Sequence, residues 1–326
     1  MEPRIYYALY CSMIISLGGF VFGFDAAVIS GVVGFVTTDF DLTPIQAGFV
    51  VAAPTLSGVF GTLIVGPLSD ALGRKKVLLM IALMYLLSAF VSAFSSSYTM
   101  LVMARAMGGL AFSSLIIAPM YIAEIAPPKL RGKLVSINQL NIVIGLSAAY
   151  FANYYILNLS LSDNGWAANW GIDQHTWRWM LGIEIVPALL FFTGLFFIPD
   201  SPRWLITKDR ESDARIVLER LLPVDQIDNE ISLIKHSYDQ ENGDLWRRIQ
   251  GIFSPKMRLA LTIGIIIGVV QQITGINAIF FYAPTIFRPI RECEKMSKKV
   301  ENNFKTKFSK TILNKKSPKK FFTLHN

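Results

Sequence analysis

Apolar residues along this chain gather into long windows separated by short polar connections. Seven windows cover residues 9–35, 45–67, 77–94, 100–123, 134–157, 180–198 and 259–281. A helix needs about 20 residues to cross the hydrocarbon core of a bilayer, and these windows have that order of length. The pattern predicts membrane-spanning helices, not the roughly two or three soluble domains that length alone would suggest. The first window is too long for a removable leader, contains Asp25, and is followed by no small-residue cleavage site. It reads as a signal anchor that stays in the protein.

The polar stretches differ in character. Residues 201–257 are charged, and the segment 212–222 (SDARIVLERLL) has apolar residues at helical spacing and stops before Pro223. A second polar segment ends near residues 246–252, just before the seventh window. This zone is predicted to form short amphipathic helices lying under the membrane domain. From Pro289 onward the chain is Lys-rich and short of aliphatic residues.

Basic residues near span ends stay on the cytoplasmic side. Arg74, Lys75 and Lys76 follow window 2, Lys129, Arg131 and Lys133 follow window 4, and Arg203, Lys208 and Arg210 follow window 6. The alternate connections hold Asp39, Asp41, Asp163 and Asp173, with Arg178 only at the lip of window 6. The N-terminus is therefore expected in the cytoplasm. By the same logic the basic tail would emerge outside, against the charge bias. Either the native sequence ends near Arg288 and the tail is disordered or non-native, or the tail is a basic arm for anionic surfaces.

Composition supports the membrane reading: 52% of the 326 residues are hydrophobic and 17% charged, against about a quarter charged in soluble domains. The net charge of +8 does not point to nucleic acid. Residues 289–326 hold 11 Lys/Arg against 3 Asp/Glu, and the remainder is balanced. Cys11 and Cys293 form no disulfide framework or metal pattern. No metal cluster, nucleophile–base set or phosphate loop is visible, so an enzyme is not expected. His175 and His236 lie in polar surroundings and receive no role. The triplet at Asn158 is a glycosylation acceptor pattern, relevant only in a eukaryotic source.

The loop after window 2 reads GPLSDALGRKK over 66–76. Gly73 permits a tight turn, Asp70 is placed to meet a helix N-terminus or an arginine, and Arg74 and Lys75 stand at the cytoplasmic boundary. RAMGG (105–109) opens window 4, PMYIAE (119–124) closes it, and RGK (131–133) follows. PDSPR (199–203) follows window 6, and QQITGIN (271–277) lies within window 7. In order and spacing these motifs resemble the sugar porter family of the major facilitator superfamily, which includes xylose/proton symporters and glucose facilitators. The resemblance runs from about residue 14 to 286. Asp200 departs from it, standing where that family usually has Glu, and the charge is kept.

The resemblance and the residue chemistry together assign roles. An ionisable group inside a span is costly and marks a functional hypothesis, which singles out Asp25 and Arg105. An apolar pocket favours a neutral carboxyl, while a nearby arginine favours the ionised form. Separating the two would let the acid take up a proton. In the resembled symporters these positions take up the proton and tune it, whereas the facilitators have an uncharged residue at Asp25. The bland alternative is a static structural pair. Gln139, Gln271, Gln272 and Asn277 are amides within spans, able to donate and accept toward the hydroxyls of a neutral sugar. Taken singly they could equally be interhelical glue; the resemblance makes them sugar-contacting. An unbroken helix would hold Gln272 and Asn277 roughly 140° apart, so Gly275 is read as loosening the span. Phe22 and Tyr282 match aromatic positions near the same cavity. Asp70, Gly73, Arg74, Lys75, Glu124 and Arg131 match a cytoplasmic salt-bridge network that latches the helix bundles together.

The expected fold is all-α transmembrane: the N-terminal six-helix bundle of a major facilitator (1–200), a cytoplasmic linker (201–257), a seventh span (258–288) and the basic tail (289–326). The expected function is transport of a neutral monosaccharide, a hexose or pentose, by alternating access. It would use no cofactor, with a proton as coupling ion, in a plasma or bacterial inner membrane. The alternatives are a facilitative uniporter and a truncated, non-transporting membrane protein.

Overall fold

The structure, a computed structural model, describes residues 3–162, 165–241, 257–276, 278–279 and 282. Among the described residues the regular structure is helical: α1 (Pro3–Asp39), α2 (Pro44–Leu72), α3 (Arg74–Ala93), α4 (Tyr98–Leu110), α5 (Ser114–Ile125), α6 (Arg131–Leu161), α7 (Gly165–Asn169), α8 (Thr176–Gly182), α9 (Ile185–Gly194), α10 (Pro202–Thr207), α11 (Glu211–Leu221), α12 (Val224–Glu241) and α13 (Arg258–Ile273). Among the described residues, six spans are long and apolar enough to cross a membrane. They are α1, α2, α3, α4 with α5, α6, and α8 with α9, and each contains or overlaps one of the first six predicted windows. The described helix in the seventh window, α13, has 16 residues and buries none of them.

Local chemistry sets the ends and breaks. Thr43 caps α2 and exchanges hydrogen bonds with Gln46 in a capping box, with Pro44 at the first helical position. Gly73 turns the chain from α2 into α3 at φ 94, a left-handed conformation that disfavours other residues. The fourth span passes through a 3-10 turn at Ala111–Ser113 after the Gly108–Gly109 pair. In the sixth span Pro187 has no N–H for the Ile183 carbonyl, which instead accepts from Val186 at 3.2 Å. The helix is interrupted there, between α8 and α9, at Glu184.

The spans pack through small residues, as membrane helices without a hydrophobic drive must. α1 packs chiefly on α6, α2 on α4, and α3 on α4, α8 and α9. A Cβ at Gly23 would collide with the Ile142 carbonyl, and one at Gly145 with the Phe20 carbonyl. Asn153 Nδ2 donates to the Val28 carbonyl at 3.0 Å, and Asn141 Nδ2 to Ser16 Oγ at 2.5 Å, along the same seam. Outward faces carry large apolar side chains such as Phe60, Leu63 and Phe151, as lipid-facing positions do.

The predicted amphipathic segment at 212–222 is α11. It buries Ala214, Val217, Leu218 and Leu221 and touches α1. The expected polar segment near 246–252 and the tail from 289 lie outside the described residues. Contacts divide the chain into two units, Met1–Phe281 and Tyr282–Asn326, of which the first carries all the helices above.

Candidate proton, sugar and latch sites

Asp25 lies in the middle of α1 and is 1% exposed; Arg105 lies two turns into α4 and is 2% exposed. Arg105 Nη1 donates to Asp25 Oδ1 in a buried ion pair, and Nη2 reaches the Asp25 carbonyl oxygen at 3.4 Å. The structure thus brings together the two groups that the sequence singles out. It adds a third. Glu184, at the proline-induced break of the sixth span, is 1% exposed, interacts with the Asp25 carboxyl and lies in the field of Arg105. Two carboxylates against one guanidinium leave one surplus negative charge in a buried site, and one proton cancels it. Arg105 Nε is buried without a protein partner among the described residues, and Asp25 Oδ2 and Glu184 Oε1 find no donor beyond the contact between the two carboxyls. Sequence reasoning missed Glu184, although the same signal that marked Asp25, a carboxylate within an apolar window, was present.

The residues expected to form a latch gather around the turn between α2 and α3. Arg74 Nε donates to Glu124 Oε1 at 3.0 Å, and its Nη1 meets Asp70 Oδ1 and the Ser69 carbonyl, each at 3.0 Å. Lys75 Nζ donates to the Ile198 and Phe196 carbonyls at 2.6 and 3.2 Å, tying α3 to the end of the sixth span. Ser201 Oγ donates to Glu124 Oε2, and the Trp204 indole packs over Gly73 while its N–H donates to the Asp70 carbonyl at 3.2 Å. Ser201 and Trp204, unassigned from sequence, therefore belong to the same assembly. A cavity of about 790 Å³ opens beside it, lined by Asp70, Arg74, Glu124, Arg131, Arg203 and Glu230 among others. Arg131 contributes from the exposed start of α6.

The sugar-site expectations fare differently. Gln139 stands exposed on α6, and Gln271 and Gln272 stand exposed on α13, so none of the three is enclosed. Asn277 lies outside the described residues. Helix α13 ends at Ile273, and Gly275 takes φ 68, in line with the loosening expected there. Phe22 is half-buried, with its ring edge-on to Phe112 at 4.7 Å. Tyr282, in the second unit, is half-buried.

Residues 11–296 match the family model described as "Sugar (and other) transporter". The chain is similar to the arabinose-proton symporter of Bacillus subtilis, with 38% identity over 286 residues, covering 86% of this chain and 59% of that protein. It is similar to the galactose-proton symporter of Escherichia coli K12, with 36% identity, covering 83% of this chain and 55% of that protein. A D-xylose transporter of Levilactobacillus brevis is 36% identical, with 84% and 57% covered. The chain thus spans less than two thirds of the length of these curated relatives. Among solved structures, the partially occluded, inward-open xylose transporter of E. coli superposes with a TM-score of 0.73 at 30% identity, over 86% of this chain and 67% of that one. The same transporter bound to 6-bromo-6-deoxy-D-glucose gives a TM-score of 0.74, covering 87% and 63%. Six spans, their order and these matches establish that the chain belongs to the sugar transporter family of the major facilitator superfamily.

Proposed function

We propose that the chain acts in proton-coupled transport of a neutral monosaccharide, a hexose or pentose, by alternating access. It supplies the N-terminal half of the pathway, a linker and the start of the second half. The observation that carries the coupling is the buried Asp25–Arg105 pair with Glu184 beside it. A half-empty charge balance of this kind changes its preferred geometry with one proton, which is what coupling requires. Similarity to arabinose- and galactose-proton symporters supports the same reading.

In this reading Asp25 binds the coupling proton, and Arg105 and Glu184 set when it binds and leaves. Gln139, Gln271, Gln272 and Asn277 contact sugar hydroxyls, with Phe22 and Tyr282 as aromatic walls. A sugar site shared between two halves remains open where one half is described, which accounts for the exposure of the three described amides. The assembly of Asp70, Gly73, Arg74, Lys75, Glu124 and Arg131 latches the cytoplasmic face. The N-terminus is cytoplasmic, supported by the basic connections on that side, and the protein sits in a plasma or bacterial inner membrane.

Accumulation tests it. Proteoliposomes with an inward-directed proton gradient should concentrate a transported hexose or pentose above the external level, and an uncoupler should return it to equality. Equilibration without accumulation, unaffected by the uncoupler, would instead support a uniporter.

A further inference from the structure

The helices of this half share one register. The Tyr85 hydroxyl lies 3.2 Å from Ser114 Oγ, which reaches the Gly18 carbonyl at 3.5 Å. The Phe191 ring closes on Gly18 from the other side. These contacts fix a cross-section through α1, α3, α5 and α9. Helix α9 runs antiparallel to α3, since Lys75 meets Ile198 and Arg178 meets Ala93. It is also antiparallel to α1, where Ile14 meets Gly194.

Seven residues are about two turns, or roughly 10 Å, and return each helix to nearly the same face. Seven residues onward from Gly18 and Tyr85 stand Asp25 and Ser92. Glu184, at the break before α9, joins the layer through its interaction with the Asp25 carboxyl. An independent contact agrees: a Cβ at Gly182 would sit 3.6 Å from that of Ala93. Arg105 joins the layer through Asp25.

Ser92 is 2% exposed, and among the described residues its Oγ, like Arg105 Nε, has no hydrogen-bond partner, while the carboxyls of Asp25 and Glu184 interact with each other. The neighbouring α3 hydroxyls are committed, Ser88 to the Ala104 carbonyl at 2.8 Å and Tyr85 to Ser114. Buried polar atoms left open by protein are satisfied by water. Ser92 also lies in the last turn of α3, close to its end at Ala93. Over that end lie Arg178, 4.5 Å from the Trp177 ring centroid, and Asp39, which accepts from Trp177 Nε1 at 2.6 Å. The ionisable groups facing the layer are Asp25, Arg105, Glu184 and Tyr85, with Arg178 and Asp39 at its mouth.

We propose that Ser92 anchors buried water against the Asp25–Arg105–Glu184 cluster, and that this water is the route by which protons reach the carboxylates from the Ala93 end of α3. A proton from bulk water passes to the Ser92-held water, which hands one on to a carboxylate oxygen; no bond to Ser92 is made or broken for good. Ser92 is a positioning residue. The proposal rests on the proton-coupling reading.

The test is infrared spectroscopy of the purified chain in lipid nanodiscs, following the protonated-carboxyl band after a pH step. Asp25→Asn and Glu184→Gln identify the band. Ser92→Val and Ser92→Thr fill the same volume, and only Thr keeps the hydroxyl. Val should slow protonation about ten-fold or more and remove a band of weakly bonded water sensitive to oxygen-18, while Thr stays near the parent. Ser92→Ala, as a second hydroxyl-free variant, should also slow it, which covers poor folding of the Val variant. Parent-like kinetics in a folded Val or Ala variant would overturn the proposal and leave the coupling reading intact. Absence of any titrating band lost in Asp25→Asn or Glu184→Gln would sink the coupling reading itself.

Discussion

At the scale of single residues, the decisive fact is a cluster of two carboxyls and one guanidinium held out of water. Removing one partner of a buried ion pair leaves the other uncompensated, at a cost of about 3–5 kcal/mol, while removing both is far milder. Arg105→Met alone should therefore destabilise the fold by that order, and Arg105→Met with Asp25→Asn should recover much of the loss in thermal melts. A double variant as unstable as the single one would mean that the pair is not the main tie. Asp25 and Arg105 were legible in the sequence because an ionisable group in an apolar window stands out. Glu184 was equally legible in principle. What sequence could not show is that Pro187 interrupts the helix beside it and that three helices deliver it to the same layer. Ser92 was not legible, because a serine on a span normally satisfies itself on its own helix, and only its neighbours reveal that this one does not.

Elements show where packing, not polarity, decides. The α1–α6 seam needs Gly23 and Gly145, since a side chain at either would strike the facing backbone. Gly23→Leu should prevent a stable bundle, seen as aggregation on size-exclusion chromatography in detergent, whereas the same change at Gly34, where a Cβ meets nothing within 4 Å, should be tolerated. Equal tolerance at both would refute the close seam. At the turn between α2 and α3, Gly73→Ala faces both a positive φ and the Trp204 ring, and should cost about 1–3 kcal/mol in thermal stability. Spans were readable from hydropathy alone, to within a few residues at most ends. The breaks inside spans 4 and 6 were not, because average hydropathy over a window does not register a Gly108–Gly109 pair or a Glu184 followed by Pro187.

On the scale of the whole molecule, the interior and one end of this half have separate tasks. The interior holds the buried Asp25–Arg105–Glu184 cluster, and one end ties α2, α3, α5 and α10 through Arg74, Glu124 and Ser201. Ser201→Ala removes one charge-assisted bond to Glu124 and should shift the conformational balance by about 1.5–3 kcal/mol, read as altered accessibility of a reporter cysteine at the cavity beside Arg74 and Glu124. Unchanged accessibility would place Ser201 outside the latch. The expected sugar-contacting residues were legible only as a set of amides along the chain, and Gln139, exposed on α6, does not by itself locate its partners.

The central claim is that sugar moves with a proton through this cluster. In lightly buffered proteoliposomes, adding a transported monosaccharide outside should make the external medium alkaline, and Asp25→Asn should abolish that signal while sugar binding persists. Sugar uptake with no alkalinisation, or an Asp25→Asn protein that still alkalinises the medium, would contradict it.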